Sequence, residues 1–213
     1  MARPSKKQSR VLLVEGPDDK EVIFQFCNRH AIDNRSLFDV EVCGGFTELR
    51  DTLSQEPRFG REAVWAIVDA DADCLDRWRS LHGVLEGLGY TDVPLSPARS
   101  GTILPAKDSL ARLGVWLMPD NESAGILEDF LARLVSSEDV LLPRANAAVD
   151  AIPAHERRFA EVRRPKALMH TWLAWQEEPG TPLGLAVTRR YLQTDHELAE
   201  RFLAWLRLLF ESQ

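Results

Sequence analysis

Cysteine is scarce: the 213 residues hold three, Cys27, Cys43 and Cys74. An odd number with no C-x-x-C spacing and no neighbouring histidine cluster indicates neither a disulfide framework nor a zinc site, and a reducing, cytoplasmic setting fits best. No stretch approaches the roughly 20 apolar residues of a membrane span, so no membrane partner is expected. The basic start MARPSKKQSR is followed by no apolar region leading to a small-residue cleavage site, and a soluble, unexported chain is expected. A G-x-x-x-x-G-K-[ST] loop is absent, which argues against an ATPase by itself. Positive charge is in the minority: 26 Lys and Arg stand against 33 Asp and Glu, for a formal charge of -7. That balance excludes a protein that coats nucleic acid through its global field.

Apolar residues make up 45% of the chain, enough for a core without covalent staples. Strand-like and helix-like runs alternate through the first part, the pattern of an α/β domain on a mainly parallel sheet flanked by helices. RVLLV, residues 10–14, reads as a buried strand, and PDDKEVIFQFCNRHA as the helix after it, with Pro17 where a missing N–H costs nothing. FDVEVCGG and REAVWAIVDADAD read as further strands, each followed by a helix, FTELRDTLSQE and CLDRWRSLHGVLEGLGY. SGTILPAKDSLARLGVWLMPD reads as a hairpin at the sheet edge and AGILEDFLARLVSS as an amphipathic helix. Strand signals end near residue 138. The expected organisation is an α/β unit over 1–138 and a helical region over 139–213 packed on it, including PKALMHTWLAWQEE and DHELAERFLAWLRLLFES. Two basic clusters stand out, Arg3, Lys6, Lys7 and Arg10, and Arg157, Arg158, Arg163, Arg164 and Lys166. Each is either a solvated segment or a phosphate-contacting surface beside an acidic site.

Acids gather where two of these strands end. Glu15 closes the first, with Asp19 four residues on, and Asp69, Asp71 and Asp73 close the third in the run DADAD. Acids in a first helical turn suit the positive end of the helix dipole, which accounts for part of the pattern. In a parallel α/β sheet, however, ligands sit outside the carboxyl ends of the strands, so both groups are expected to face one crevice. Gathered carboxylates repel one another unless a hard divalent cation lies among them, and oxygen donors without Cys or His select Mg2+ or Mn2+ over zinc. An EF-hand loop also begins D-x-D-x-D, but it needs a glycine and a glutamate where this chain has Cys74 and Ser80. A phosphatase of the haloacid dehalogenase type, with the first aspartate as nucleophile, and a plain acidic strand-to-helix turn stay open.

VLLVEGPDD followed by WAIVDADAD resembles the Toprim domain of topoisomerases, primases and the overcoming-lysogenization-defect nucleases, over roughly residues 10–135. Glu15 and Gly16 match the first motif of that family, with Asp19 where such nucleases place an aspartate, and Asp69 and Asp71 match the second. GVWLMPDNESAGILEDFL and PKALMHTWLAWQEEPGTPLGLAV further resemble a family of small stand-alone Toprim-like prokaryotic proteins that carries only an unknown-function label, a likeness spanning nearly the whole chain. The resemblance implies a Mg2+ (or Mn2+) ion held by Asp69 and Asp71, with Glu15 sharing a metal or acting as general acid/base in phosphodiester transfer. A second ion, about 3.5–4 Å from the first, would draw on Asp19 and Glu128, and Lys166 would assist at the phosphate. Asp73 extends the acidic set, and Asp129 lies beside Glu128.

Topoisomerases add a tyrosine-bearing nucleophile domain, of which Tyr90 and Tyr191, the chain's two tyrosines, give no sign. Primases need priming machinery that this length does not easily hold. The resemblance leaves a Mg2+-dependent nuclease or phosphodiester hydrolase acting on nucleic acid, with a separately encoded ATPase as a partner by family analogy. A catalytically silent metal- or nucleotide-binding regulatory module and a small-molecule phosphatase are the alternatives.

Other conspicuous residues have ordinary explanations beside functional ones. His30, His82, His155, His170 and His196 are scattered and expected on helix surfaces or in helix packing, His170 one turn after Lys166. Trp172, Trp175 and Trp205 fall at helical spacings with Leu168 and Leu206 and are expected in the core of the C-terminal helices. Gly16, Gly44 and Gly45 offer backbone to a phosphate, or serve tight strand-to-helix turns. MPDNES is a turn before a helix, with Ser123 as the expected cap.

Overall fold

A computed structural model describes residues 8–210, so Arg3, Lys6 and Lys7 of the first basic cluster lie outside the described residues. One sheet has the strand order β2-β1-β3-β5-β4. β1 (Arg10–Val14), β2 (Asp39–Val42), β3 (Ala63–Asp69) and β5 (Arg112–Met118) run parallel. β4 (Thr102–Leu104) pairs antiparallel with β5 and forms the edge, as the hairpin pattern indicates. The helices are α1 (Pro17–Arg29), α2 (Asn34–Leu37), α3 (Phe46–Leu53), α4 (Cys74–Leu88), α5 (Leu127–Ala132), α6 (Leu141–Asp150), α7 (Arg164–Ala174), α8 (Leu185–Thr188) and α9 (Glu197–Arg207). No helix among the described residues is long and apolar enough to cross a membrane.

Both faces of the sheet are covered, which is why its parallel strands read as unbroken apolar runs. Successive strand residues point to opposite faces. Leu12, Trp65, Ile67 and Trp116 therefore pack with α1, α5, α7 and α9, whereas Leu13, Val64, Ala66 and Val115 pack with α3 and α4. In the first of these clusters Trp65, Trp116, Phe202 and Trp205 meet at ring separations between 5.3 and 6.2 Å, joining α9 to the centre of the sheet by large, geometrically specific contacts. Trp172 is buried likewise, but Trp175 is 41% exposed. The helical spacing places Trp175 on the inner face only if the helix continues, and α7 ends at Ala174 with Trp175 as its C-cap.

β3 and β5 pair Trp65 with Gly114. A Cβ at Gly114 would lie 2.5 Å from Cε2 of the Trp65 indole, which is fully buried. Gly114→Ala is therefore expected to destabilise the fold by about 1–3 kcal/mol through overpacking. Urea unfolding checks this: the midpoint should fall while the slope stays unchanged.

Candidate active site

Two neighbouring strands stop at the same end of the sheet. β1 pairs in parallel with β3, Val14 opposite Ile67, so Glu15 and Asp69 emerge side by side. Pro17 occupies the first turn of α1, and the Asp19 carboxylate accepts the Gly16 amide at 2.8 Å. That hydrogen bond turns Asp19 back toward the strand end. The Asp69 amide donates to Glu15 Oε1 at 2.9 Å, and Asp69 Oδ1 accepts the Leu127 amide at 3.0 Å, at the start of α5. Glu128 follows in the same turn and is buried. Glu15, Asp19, Asp69 and Glu128 thus line one cleft of about 420 Å³, with Asp18, Gly16, Gly44, Gly45, Arg163 and Lys166.

Burial and mutual repulsion set the charge state of Asp69, Glu15 and Asp19. Burial, reinforced by Asp19, Glu15 and Glu128, pushes the Asp69 carboxyl up to about 9. Burial likewise raises Glu15 to about 7, against the opposing pull of the Asp69 amide and Arg77. Asp19 rises to about 6, again chiefly by burial, with the Gly16 amide opposing and Glu128 adding. The Lys166 ammonium donates to Asp18 Oδ2 at 2.8 Å and stands 3.5 Å from Glu128 Oε1. The hydrogen bond to Asp18 raises its pKa. Arg163 is exposed and makes no ion pair among the described residues.

The cleft holds more carboxylates than cations, and its acids are desolvated. Such a donor set, all oxygen, suits a hard divalent cation. In the present rotamers no three His, Cys, Asp or Glu side chains among the described residues come close enough to hold one. Ligation would therefore require side-chain rotation toward a common point.

The remaining residues singled out from the sequence are placed elsewhere or are already engaged. Asp73 is the N-cap of α4, its Oδ1 accepting the Leu75 and Asp76 amides at 2.8 and 3.0 Å. Asp71 has φ of 53° and exchanges backbone hydrogen bonds with Gly125, while its carboxylate pairs with Arg77. Neither Asp71 nor Asp73 lines the cleft; both border a neighbouring hollow with Phe46 and Arg77. Gly44 donates its amide to the Glu15 carbonyl at 2.9 Å, whereas Gly45 donates to no described residue. Asp129 accepts the Ile126 amide at 2.9 Å and starts α5. Ser123 is not the cap: it donates its amide and hydroxyl to Asp120, because the helix begins four residues later at Leu127. His170 is exposed.

Two participants escaped the sequence patterns. Asp18 neighbours Asp19 but reads as an ordinary first-turn acid, and only the folded α7 brings Lys166 to it. Arg77, one turn into α4, stacks 3.7 Å over the Phe46 ring and pairs with Asp71. Its spacing of four from Asp73 was the available signal, since a residue one turn inside a helix lies over the turn before it.

The family described as Protein of unknown function (DUF3226) matches residues 9–211, so the chain belongs to that family. No curated protein and no solved structure matches the chain.

Proposed function

We propose that this member of the family is a Mg2+- or Mn2+-dependent phosphodiesterase of the Toprim type that acts on nucleic acid. The supporting observation is the meeting of Glu15, Asp19, Asp69 and Glu128 in one cleft at the ends of β1 and β3, beside Lys166 and Arg163. Ligand sites of open parallel sheets lie at such strand ends. A divalent cation, when bound, supplies neutralisation of charge at a phosphoryl oxygen. Asp69 and Glu128 are the residues to hold it, with Asp19 completing the set. Glu15 uses Oε1 to accept the Asp69 amide, which leaves Oε2 to hold the cation or to exchange a proton at the scissile phosphate. Arg163 binds a phosphate oxygen, and the Gly45 amide donates to another. Lys166 turns from Asp18 to the same phosphate when substrate enters.

Purified protein with Mg2+ or Mn2+ is expected to nick plasmid or to degrade single-stranded DNA or RNA, and a chelator should stop it. Hydrolysis of p-nitrophenyl phosphate with every polymer left intact would put a small-molecule phosphatase in its place. A second reading, a metal- or nucleotide-binding regulatory module without turnover, draws on the Lys166 ion pairs with Asp18 and Glu128, which place a cation of the protein's own among the acids. Metal binding without any hydrolysis would favour it.

Lys166→Met separates the two roles of that ammonium. It removes a like charge beside the cation, so Mn2+ should bind several-fold more tightly, while cleavage should fall by on the order of tenfold or more for want of a phosphate partner. Calorimetric Mn2+ titration and initial cleavage rates measure the two effects.

A further inference from the structure

The acidic cleft shares a ridge with a second hollow, of about 390 Å³. Alternate residues of the ridge face the two: Arg163 and Lys166 line the cleft, Val162 and Pro165 the hollow. The hollow's opposite wall is Ile126 and Asp129, at the start of α5, whose next residues Leu127 and Glu128 line the cleft. We propose that this hollow seats an unstacked nucleobase carrying an exocyclic amino group, from the same nucleotide whose phosphate lies in the acidic cleft. The proposal names the substrate class and rests on the phosphodiesterase reading for the phosphate end only.

Size, surface and polarity each support it. The volume falls within the range of about 300–1,000 Å³ usual for small-ligand pockets, which are apolar with a few placed polar groups. Val162 is 58% exposed, and with Pro165 and Ile126 it offers apolar surface for the π-face of a base. The side-chain polar groups on the rim are all acceptors. Each of the three carboxylates spends one oxygen, but Asp71 and Glu161 spend it on the guanidinium groups of Arg77 and Arg157, whereas Asp129 spends Oδ2 on the neutral Ile126 amide and has no ion pair among the described residues, which leaves its Oδ1 the acceptor not claimed by a cation. A carboxylate accepts from the amino group of cytosine, adenine or guanine, whereas uracil and thymine present a carbonyl at the corresponding edge. A base seated here is out of any duplex stack, so the substrate is a nucleotide, a single strand, or a duplex from which the base has been flipped.

Calorimetric titration of the full-length protein in Mn2+ tests this with cytidine 5′-monophosphate, uridine 5′-monophosphate and ribose 5-phosphate, and with the free nucleosides cytidine and uridine. The cytidine nucleotide should bind about tenfold more tightly than either comparison. Val162→Asp should lower its affinity to that of ribose 5-phosphate. Asp129→Asn, which keeps an oxygen for the Ile126 amide, should remove the preference for cytidine over uridine. Equal affinity for the three phosphates, or no effect of Val162→Asp, overturns the base seat while leaving the phosphate cleft standing. Tighter binding of free cytidine than of uridine, with no gain from the phosphate, upholds the base seat and removes the phosphodiesterase reading instead. Absence of binding by any of the compounds at millimolar concentration overturns both.

Discussion

Asp69→Asn will cut metal-dependent cleavage by on the order of a hundred- to a thousandfold while making the metal-free protein more stable above neutral pH. The activity loss follows from charge: metal-assisted neutralisation of a phosphoryl oxygen is worth several kcal/mol. Each ~1.4 kcal/mol is a factor of ten, so the rate should fall on the order of a hundred- to a thousandfold. Asparagine keeps an oxygen to accept the Leu127 amide, so the start of α5 stays anchored. The gain in stability follows from the environment, in which burial and the Asp19, Glu15 and Glu128 carboxylates all oppose ionisation at this position. A purely structural Asp69 would give the reverse pairing, a weaker fold with any activity lost in proportion. Cleavage rate and thermal midpoint, measured on the same preparation at pH 8, separate the two.

Lowering the pH from about 9 to 5 will stabilise the metal-free protein, and adding Mg2+ or Mn2+ at pH 8 will do the same. In the fold Asp69 keeps its proton up to about 9, Glu15 up to about 7 and Asp19 up to about 6, whereas their ordinary values are 3.8, 4.5 and 3.8. Between about pH 4 and 9 the folded chain therefore binds more protons than the unfolded one, and stability falls as pH rises through that window. His30 acts oppositely, since burial lowers its pKa and its proton is lost on folding. It lies outside the cleft, so comparison with Asp69→Asn cancels it: the variant's stability should depend less on pH across the window. A cation that binds only the folded site adds RT ln(1 + [L]/Kd), about 2.7 kcal/mol at a hundredfold excess over Kd. The thermal midpoint of the wild type should then rise with Mn2+ at pH 8 and hardly respond at pH 5, where protons occupy the same carboxylates. A midpoint that rises with pH from 5 to 9 without metal would contradict the account.

The sheet was legible because burial on both faces leaves a plain mark. VLLV and AVWAIVD are unbroken apolar runs, and each stops at an acid where the chain leaves the core. Parallel pairing then carries Glu15 to Asp69 with no long-range information beyond strand order. What depends on side chains crossing between elements was not legible. Asp71 and Asp73 stand in the same run as Asp69, yet a positive φ at Asp71 and the demand of α4 for an N-cap send both carboxylates away from the cleft. Spacing in DADAD carries neither fact. Ser123 looks like a cap until Asp120 takes up its amide and hydroxyl. Trp175 repeats the spacing of Trp172, but α7 stops at Ala174 with Trp175 as its C-cap, and no glycine or proline at that point marks the stop in the sequence. The Lys166 contact with Asp18 spans 148 residues and rests on how α7 packs against α5 and α6, which no local pattern encodes.

Anomalous diffraction from crystals grown with saturating Mn2+ decides whether the cleft is a metal site. A manganese peak is expected in the cleft, ligated by the Asp69 carboxylate together with Glu15 or Glu128, with these side chains rotated toward it. Manganese bound only elsewhere on the protein, or a cleft without a peak at saturating metal, would contradict that assignment.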